Sequence, residues 1–166
     1  MKKILTIVLL LACLLGLVGC DPGSTRMNAE ELLNNTTKIE LVAYENNHPK
    51  TIILGGKQTS VFDFNKTTFL AALEESHFED VINDIAKQDL LVFGRTMNEP
   101  IGKTLILYQN DGTMVVLFSC IYKPPLGVTR YYGMCNIYDE NGKFVKYLGD
   151  IDSNYVDTLE AAYFQY

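Results

Sequence analysis

Two apolar runs, Leu105-Ile106-Leu107-Tyr108 and Val115-Val116-Leu117-Phe118, flank Asn110-Asp111-Gly112, and no other stretch of the 166-residue chain restricts its folding so tightly. An Asp-Gly pair in that setting is hairpin chemistry, because both central residues of a two-residue type I′ loop need positive φ. With Asp111-Gly112 as the loop, Leu105 lies opposite Phe118 and Leu107 opposite Val116 on one face. Ile106 then meets Leu117, and Tyr108 meets Val115, on the other. Both faces are apolar, so the hairpin must be covered on two sides and belongs in the middle of a sheet. Glu140-Asn141-Gly142 repeats the turn signal between strands predicted over 130–139 and 143–148. With segments 90–96, 103–109 and 113–122, these make four or five strands.

Helical signals surround that block. Asn28 precedes the acidic turn Glu30-Glu31 and reads as an N-cap, and the partial alternation of 38–45 predicts a strand after the short helix. Segment 46–64 carries turn residues and a Gly55-Gly56 break, and specifies little. From 65 to 88 the apolar residues Phe69, Leu70 and Leu73, then Phe78, Val81, Ile82 and Ile85, recur at three and four, which predicts two helices. Ser76-His77-Phe78-Glu79 matches a capping box that would restart the second. One of Asp152, Ser153 or Asn154 is expected to cap a last helix, with Asp157 in its first turn and Leu159, Ala162 and Tyr163 packing inward. The expected fold is α+β, an antiparallel sheet of about five or six strands with helices packed mainly on one face.

The N-terminus carries a different kind of information. Lys2 and Lys3 precede an apolar run from Ile4 to Val18 of about fifteen residues, shorter than the roughly 20 a membrane span needs. Leu17-Val18-Gly19-Cys20 ends that run and resembles the lipobox of bacterial lipoproteins. The resemblance implies a diacylglyceryl group on the Cys20 sulfur, cleavage between Gly19 and Cys20 by signal peptidase II, and a chain held on the outer face of the cell membrane. It divides the sequence into a signal peptide (1–19), a lipidated cysteine with a short tether (20–27) and one domain (28–166). A fully extended tether from Cys20 to Met27 reaches about 25 Å. An ordinary secretory leader is the competing reading.

Composition narrows the rest. At 48% hydrophobic residues the chain is no disordered polyelectrolyte, and 166 residues fit one core. Loss of Lys2 and Lys3 with the leader takes the formal charge from −6 to −8, which disfavours nucleic acid as a partner.

No catalytic constellation is legible. His48 and His77, the two histidines, lack zinc-spaced neighbours, and no nucleophile elbow, P-loop or dinucleotide fingerprint occurs. Asp150, Asp152, Asn154 and Asp157 suggest calcium, yet an EF-hand loop needs glycine where Tyr155 stands and glutamate where Ala161 stands. No metal or cofactor is expected. Cys120 and Cys135 fall on neighbouring predicted strands, where a disulfide and two buried thiols are both open readings. Tyr122, Tyr132, Tyr138 and Tyr147 could line a sheet face that holds a ligand through flat apolar contact, or could simply be good strand residues. Arg95, Arg130 and Lys146 are the basic residues set among those strands, where an anionic ligand would meet them.

Lys38-Ile39-Glu40-Leu41, the Asn-Asp-Gly hairpin, Tyr138-Asp139-Glu140-Asn141-Gly142-Lys143-Phe144 and Tyr147-Leu148-Gly149 together resemble small uncharacterised lipoproteins of Gram-positive gut bacteria. That resemblance is structural and implies no activity. The expectation is a non-catalytic, membrane-anchored binding module whose partner is an envelope protein or small ligand. The alternatives are an envelope enzyme or inhibitor, and a homodimer formed through the apolar sheet face.

Overall fold

The computed structural model describes residues 24–44, 50–91, 99–122 and 126–165. The chain runs β1 (Ser24–Thr25), α1 (Ala29–Asn35), β2 (Thr36–Tyr44), β3 (Lys50–Leu54), β4 (Lys57–Val61), β5 (Thr67–Ala72) and α2 (Phe78–Ala86). It continues through β6 (Leu90–Leu91), β7 (Glu99–Gln109), β8 (Met114–Tyr122), β9 (Arg130–Tyr138), β10 (Phe144–Ile151) and α3 (Tyr155–Tyr163). Eight strands form one antiparallel sheet in the order β1-β6-β10-β9-β8-β7-β2-β5, and β3 pairs with β4 separately. The α+β class holds. The sheet exceeds five or six strands because β1 and β5 each add an edge that the sequence pattern does not announce.

The β7–β8 hairpin sits inside the sheet, as its two apolar faces require, but its loop differs from the expected one. Gln109 N donates to Thr113 O at 2.9 Å and Gly112 N to Gln109 O at 3.1 Å, so three residues form the loop and Gly112 supplies the positive φ. The Asp111 carboxylate accepts from the Thr113 amide and hydroxyl, which draws the turn into this form. Pairing therefore moves by one residue: Leu105 faces Leu117, Ile106 faces Val116, Leu107 faces Val115 and Tyr108 faces Met114. Asp139 acts likewise at the second turn, accepting from the Asn141 and Lys143 amides, each at 2.9 Å. The two-residue loop with both φ values positive occurs instead at Gly55-Gly56, between Leu54 and Lys57.

Segment 65–88 divides into a strand and a helix. In α2 the predicted stripe is real, since Phe78, Val81, Ile82 and Ile85 are all buried. Thr67–Ala72 instead pairs with β2, and Phe69, assigned by spacing to a helix core, is 55% exposed. Its β-branched Thr67-Thr68 start suits the pleat. The capping box does not form: Ser76 lies within a 3₁₀ turn, Glu75–His77, and α2 begins with no side-chain cap. Asn28 does cap α1, its Oδ1 accepting from Glu31 N at 3.2 Å. At α3 the cap position is Asn154, without a side-chain bond. Tyr155, Val156 and Leu159 are buried while Ala162 is exposed.

The sheet separates two apolar cores. Residues from all three helices meet Ile39, Leu41, Leu105, Leu107, Val115, Leu117 and Cys135 on one face. The other face is closed by the segment after β4, where Phe62 sits against Tyr44, Phe118 and Tyr138 with ring centroids 4.7, 5.6 and 5.1 Å apart. Phe62 N donates to Gly142 O at 2.7 Å, which fastens this segment to the β9–β10 turn. Gly142 has φ +74, and a Cβ there would come within 2.5 Å of Phe62 O and 2.9 Å of the Phe64 ring. Gly142→Ala is therefore expected to lower unfolding free energy by about 2–3 kcal/mol, measured by denaturant titration, whereas a change under 0.5 kcal/mol would contradict this fastening.

Candidate functional site

A concavity with an apolar floor lies on the helical side, under α1. α1 has seven residues and buries only Leu32 among them, with Leu33 exposed, so it stands off the sheet and leaves a groove of about 370 Å³. Leu32, Leu90 and Val115, with the half-buried Ile137 and Leu148, make its floor. Met27 closes one end, its Sδ 3.9 Å from Cys135 Sγ. The turn of the β7–β8 hairpin forms a wall, tied to α1 by Asn110 N donating to Asn35 O at 2.7 Å. That wall carries Asp111, whose hydrogen bonds from Thr113 hold its carboxyl below the usual range.

Charges of both signs stand around this floor. Arg26 Nε donates to Asp89 Oδ1 at 3.1 Å across exposed surface, and Glu31 projects from α1. Lys146, exposed on β10, makes no ion pair or hydrogen bond among the described residues. An apolar floor with a few polar and charged groups at its margin is the usual make-up of a small-molecule site, and its volume falls at the lower end of such sites. The groove is missed by sequence reasoning because it exists only where α1, β6 and parts of β7, β8, β9 and β10 converge; of Arg95, Arg130 and Lys146, Lys146 lines it.

The residues singled out beforehand distribute otherwise. Cys20, Arg95 and His48 lie outside the described residues. Arg130 starts β9, exposed and paired in register with Tyr122, at the end of the sheet remote from the groove. Tyr132, Tyr138 and Tyr147 belong to the second core: Tyr138 is fully buried beneath Phe62 and Phe64, and the other two are half-buried. Tyr147 donates its hydroxyl to the Asp150 carboxylate. Tyr138 is thus a packing residue, covered by the arm that carries Phe62 and Phe64. Cys120 and Cys135 are free thiols on opposite faces of the sheet, with Cys120 in register with Tyr132 and Cys135 with Leu117. They do not form a disulfide, and burial pushes the Cys135 thiol up to about 12.

Several phenols are held neutral by their surroundings. Burial raises Tyr44, Tyr108, Tyr138 and Tyr155, with Tyr108 also donating to Glu40 Oε2 at 2.7 Å. Donation to Asp84, at 2.5 Å, pushes Tyr163 up to about 12. A raised folded-state value means stability fully present below the unfolded value near 10 and lost as pH rises through the folded value. Absorbance titration is expected to show Tyr163 ionising near pH 12 and the other four well above the ordinary tyrosine range, as the chain unfolds. All ten tyrosines titrating smoothly near pH 10 in a folded chain would contradict the packing.

Among the described residues no group of three His, Cys, Asp or Glu could hold a metal, and none of their helices is long and apolar enough to cross a membrane. No family model matches the chain, and no match was found among curated proteins or solved structures.

Proposed function

We propose that this chain is an extracytoplasmic lipoprotein, anchored through acylated Cys20, whose domain is a non-catalytic binding module with its ligand site in the groove under α1. One observation carries the site: an apolar floor beside Lys146, a cation without a partner among the described residues, with Arg26 also in the lining. Such a site suits an amphipathic anion, with its apolar body on Leu32, Leu90 and Val115 and its charge toward Lys146.

The anchoring half rests on the Leu17-Val18-Gly19-Cys20 resemblance, and the first described residues set how close such an anchor would lie to the domain. Ser24 and Thr25 pair with Leu91 and Leu90, Arg26 binds Asp89 and Met27 packs on the core, so the fold takes in residues that a free tether to 27 would leave outside. From Cys20 to Ser24 the chain reaches about 14 Å at most, against about 25 Å to Met27. An anchor there would hold the β1 edge near the bilayer; β5, the opposite edge, lies seven strand spacings or about 34 Å from β1 along the sheet. The groove, which Arg26 and Met27 help to line, would then lie near the anchor.

Binding of a fluorescent medium-chain fatty acid to the purified full-length chain tests the site. Saturable binding is expected, weakened about tenfold by Lys146→Glu and unchanged by Arg130→Glu at the remote end. Equal loss with both variants, or no saturable binding, would overturn it.

A further inference from the structure

We propose that two copies of this chain associate edge to edge through β5, antiparallel and about a two-fold axis, so that one continuous sheet runs through both. The edges of the sheet are unlike. β1 contributes two residues and receives the incoming chain, whereas β5 contributes six, none of them charged or proline. Thr68, Phe69 and Ala72 are exposed, and among the described residues nothing pairs with the outer side of the strand. Its one irregularity is a register shift against β2. Edges are commonly blunted by lysine, proline or a covering element, since unpaired amides and carbonyls recruit another strand.

Charge selects the occupant. Lys66 stands immediately before β5, and Glu74 and Glu75 just after it, all three exposed. Antiparallel self-pairing sets the start of one copy beside the end of the other, so Lys66 of each meets the acidic pair of its mate, twice by symmetry. Parallel pairing would place like charges together. Among the described residues the Lys66 ammonium is held by a 3.6 Å contact with Asp63, three residues away, and with Lys66 exposed and Asp63 part-exposed, exchanging that contact costs little. The uncharged strand between these ends lets two acidic molecules approach without repulsion along the pairing line. Phe69 loses its exposure on the way.

The test is oxidative cross-linking of the full-length chain in native membranes, with cysteine placed at Phe69 or at Val145, which is 56% exposed on β10 near the other edge. The wild-type chain gives the background from its own cysteines. Phe69→Cys is expected to yield a disulfide-linked dimer above that background, and Val145→Cys none. Adding Lys66→Glu should lower the dimer yield about fivefold, and further adding Glu74→Lys and Glu75→Lys should restore it. Equal cross-linking at 69 and 145, none at 69, or failure of the charge exchange to restore the dimer would overturn the proposal.

Discussion

Phe62→Ala is expected to remove about 3–5 kcal/mol of unfolding free energy, a large share of what a domain of this size has. The ring is buried among Tyr44, Phe64, Phe118 and Tyr138, in edge or tilted contacts that add to area burial. Among the described residues Phe62 is the buried ring that covers Phe118 and Tyr138 from outside the eight-stranded sheet, so truncation leaves a cavity against them. Backbone fastening through Phe62 N and Gly142 O would remain, which makes collapse of the site harder still. Phe69→Ala, on the exposed edge strand, is the control and should change stability by less than about 0.5 kcal/mol. Equal losses from the two substitutions, in parallel urea titrations, would show that Phe62 does not close this core.

Cys20→Ala is expected to abolish lipid attachment entirely under the anchoring proposal. Two acyl chains bury enough methylenes, at about 0.8 kcal/mol each, to hold the mature chain on the bilayer without a membrane-spanning helix. Without the sulfur there is no diacylglyceryl acceptor, and cleavage after Gly19, which follows lipidation, stops as well. Cells given a labelled fatty acid should incorporate it into the wild-type chain and not into the variant. The variant should also accumulate as a precursor that keeps residues 1–19. Label in the alanine variant, or processing that continues unchanged, would contradict the proposal.

Much of the sheet is readable from the sequence because its strands carry local signals. Apolar residues on both faces of 105–108 and 115–118 placed that hairpin at the centre, and the glycines at 112 and 142 marked the turns. The loop form was not readable from the Asp-Gly and Asn-Gly pairs, because the Asp111 and Asp139 carboxylates decide it by bonding amides two and four residues on. A three-residue loop in place of two moved every pair by one. Phe69, Leu70 and Leu73 mimicked a helix stripe because periodicity over so few residues cannot tell an exposed edge strand from a helix, and the pairing with β2 that decides it is remote in sequence. The burial of Tyr138 was not legible for a similar reason. Phe62 and Phe64 lie in a segment that specifies little locally, yet they cover that ring. The groove was not legible at all, since its floor draws on residues from Leu32 to Leu148 that converge only in the fold.

Under the anchoring proposal, the acylated Cys20 would set where the β1 edge and the groove stand relative to the membrane. Mass spectrometry of the N-terminal peptide of the native protein addresses it most directly. The expected peptide begins at Cys20 and carries the mass of a diacylglyceryl group on its sulfur. A peptide that begins elsewhere, or that bears a free thiol at Cys20, would contradict the anchored reading.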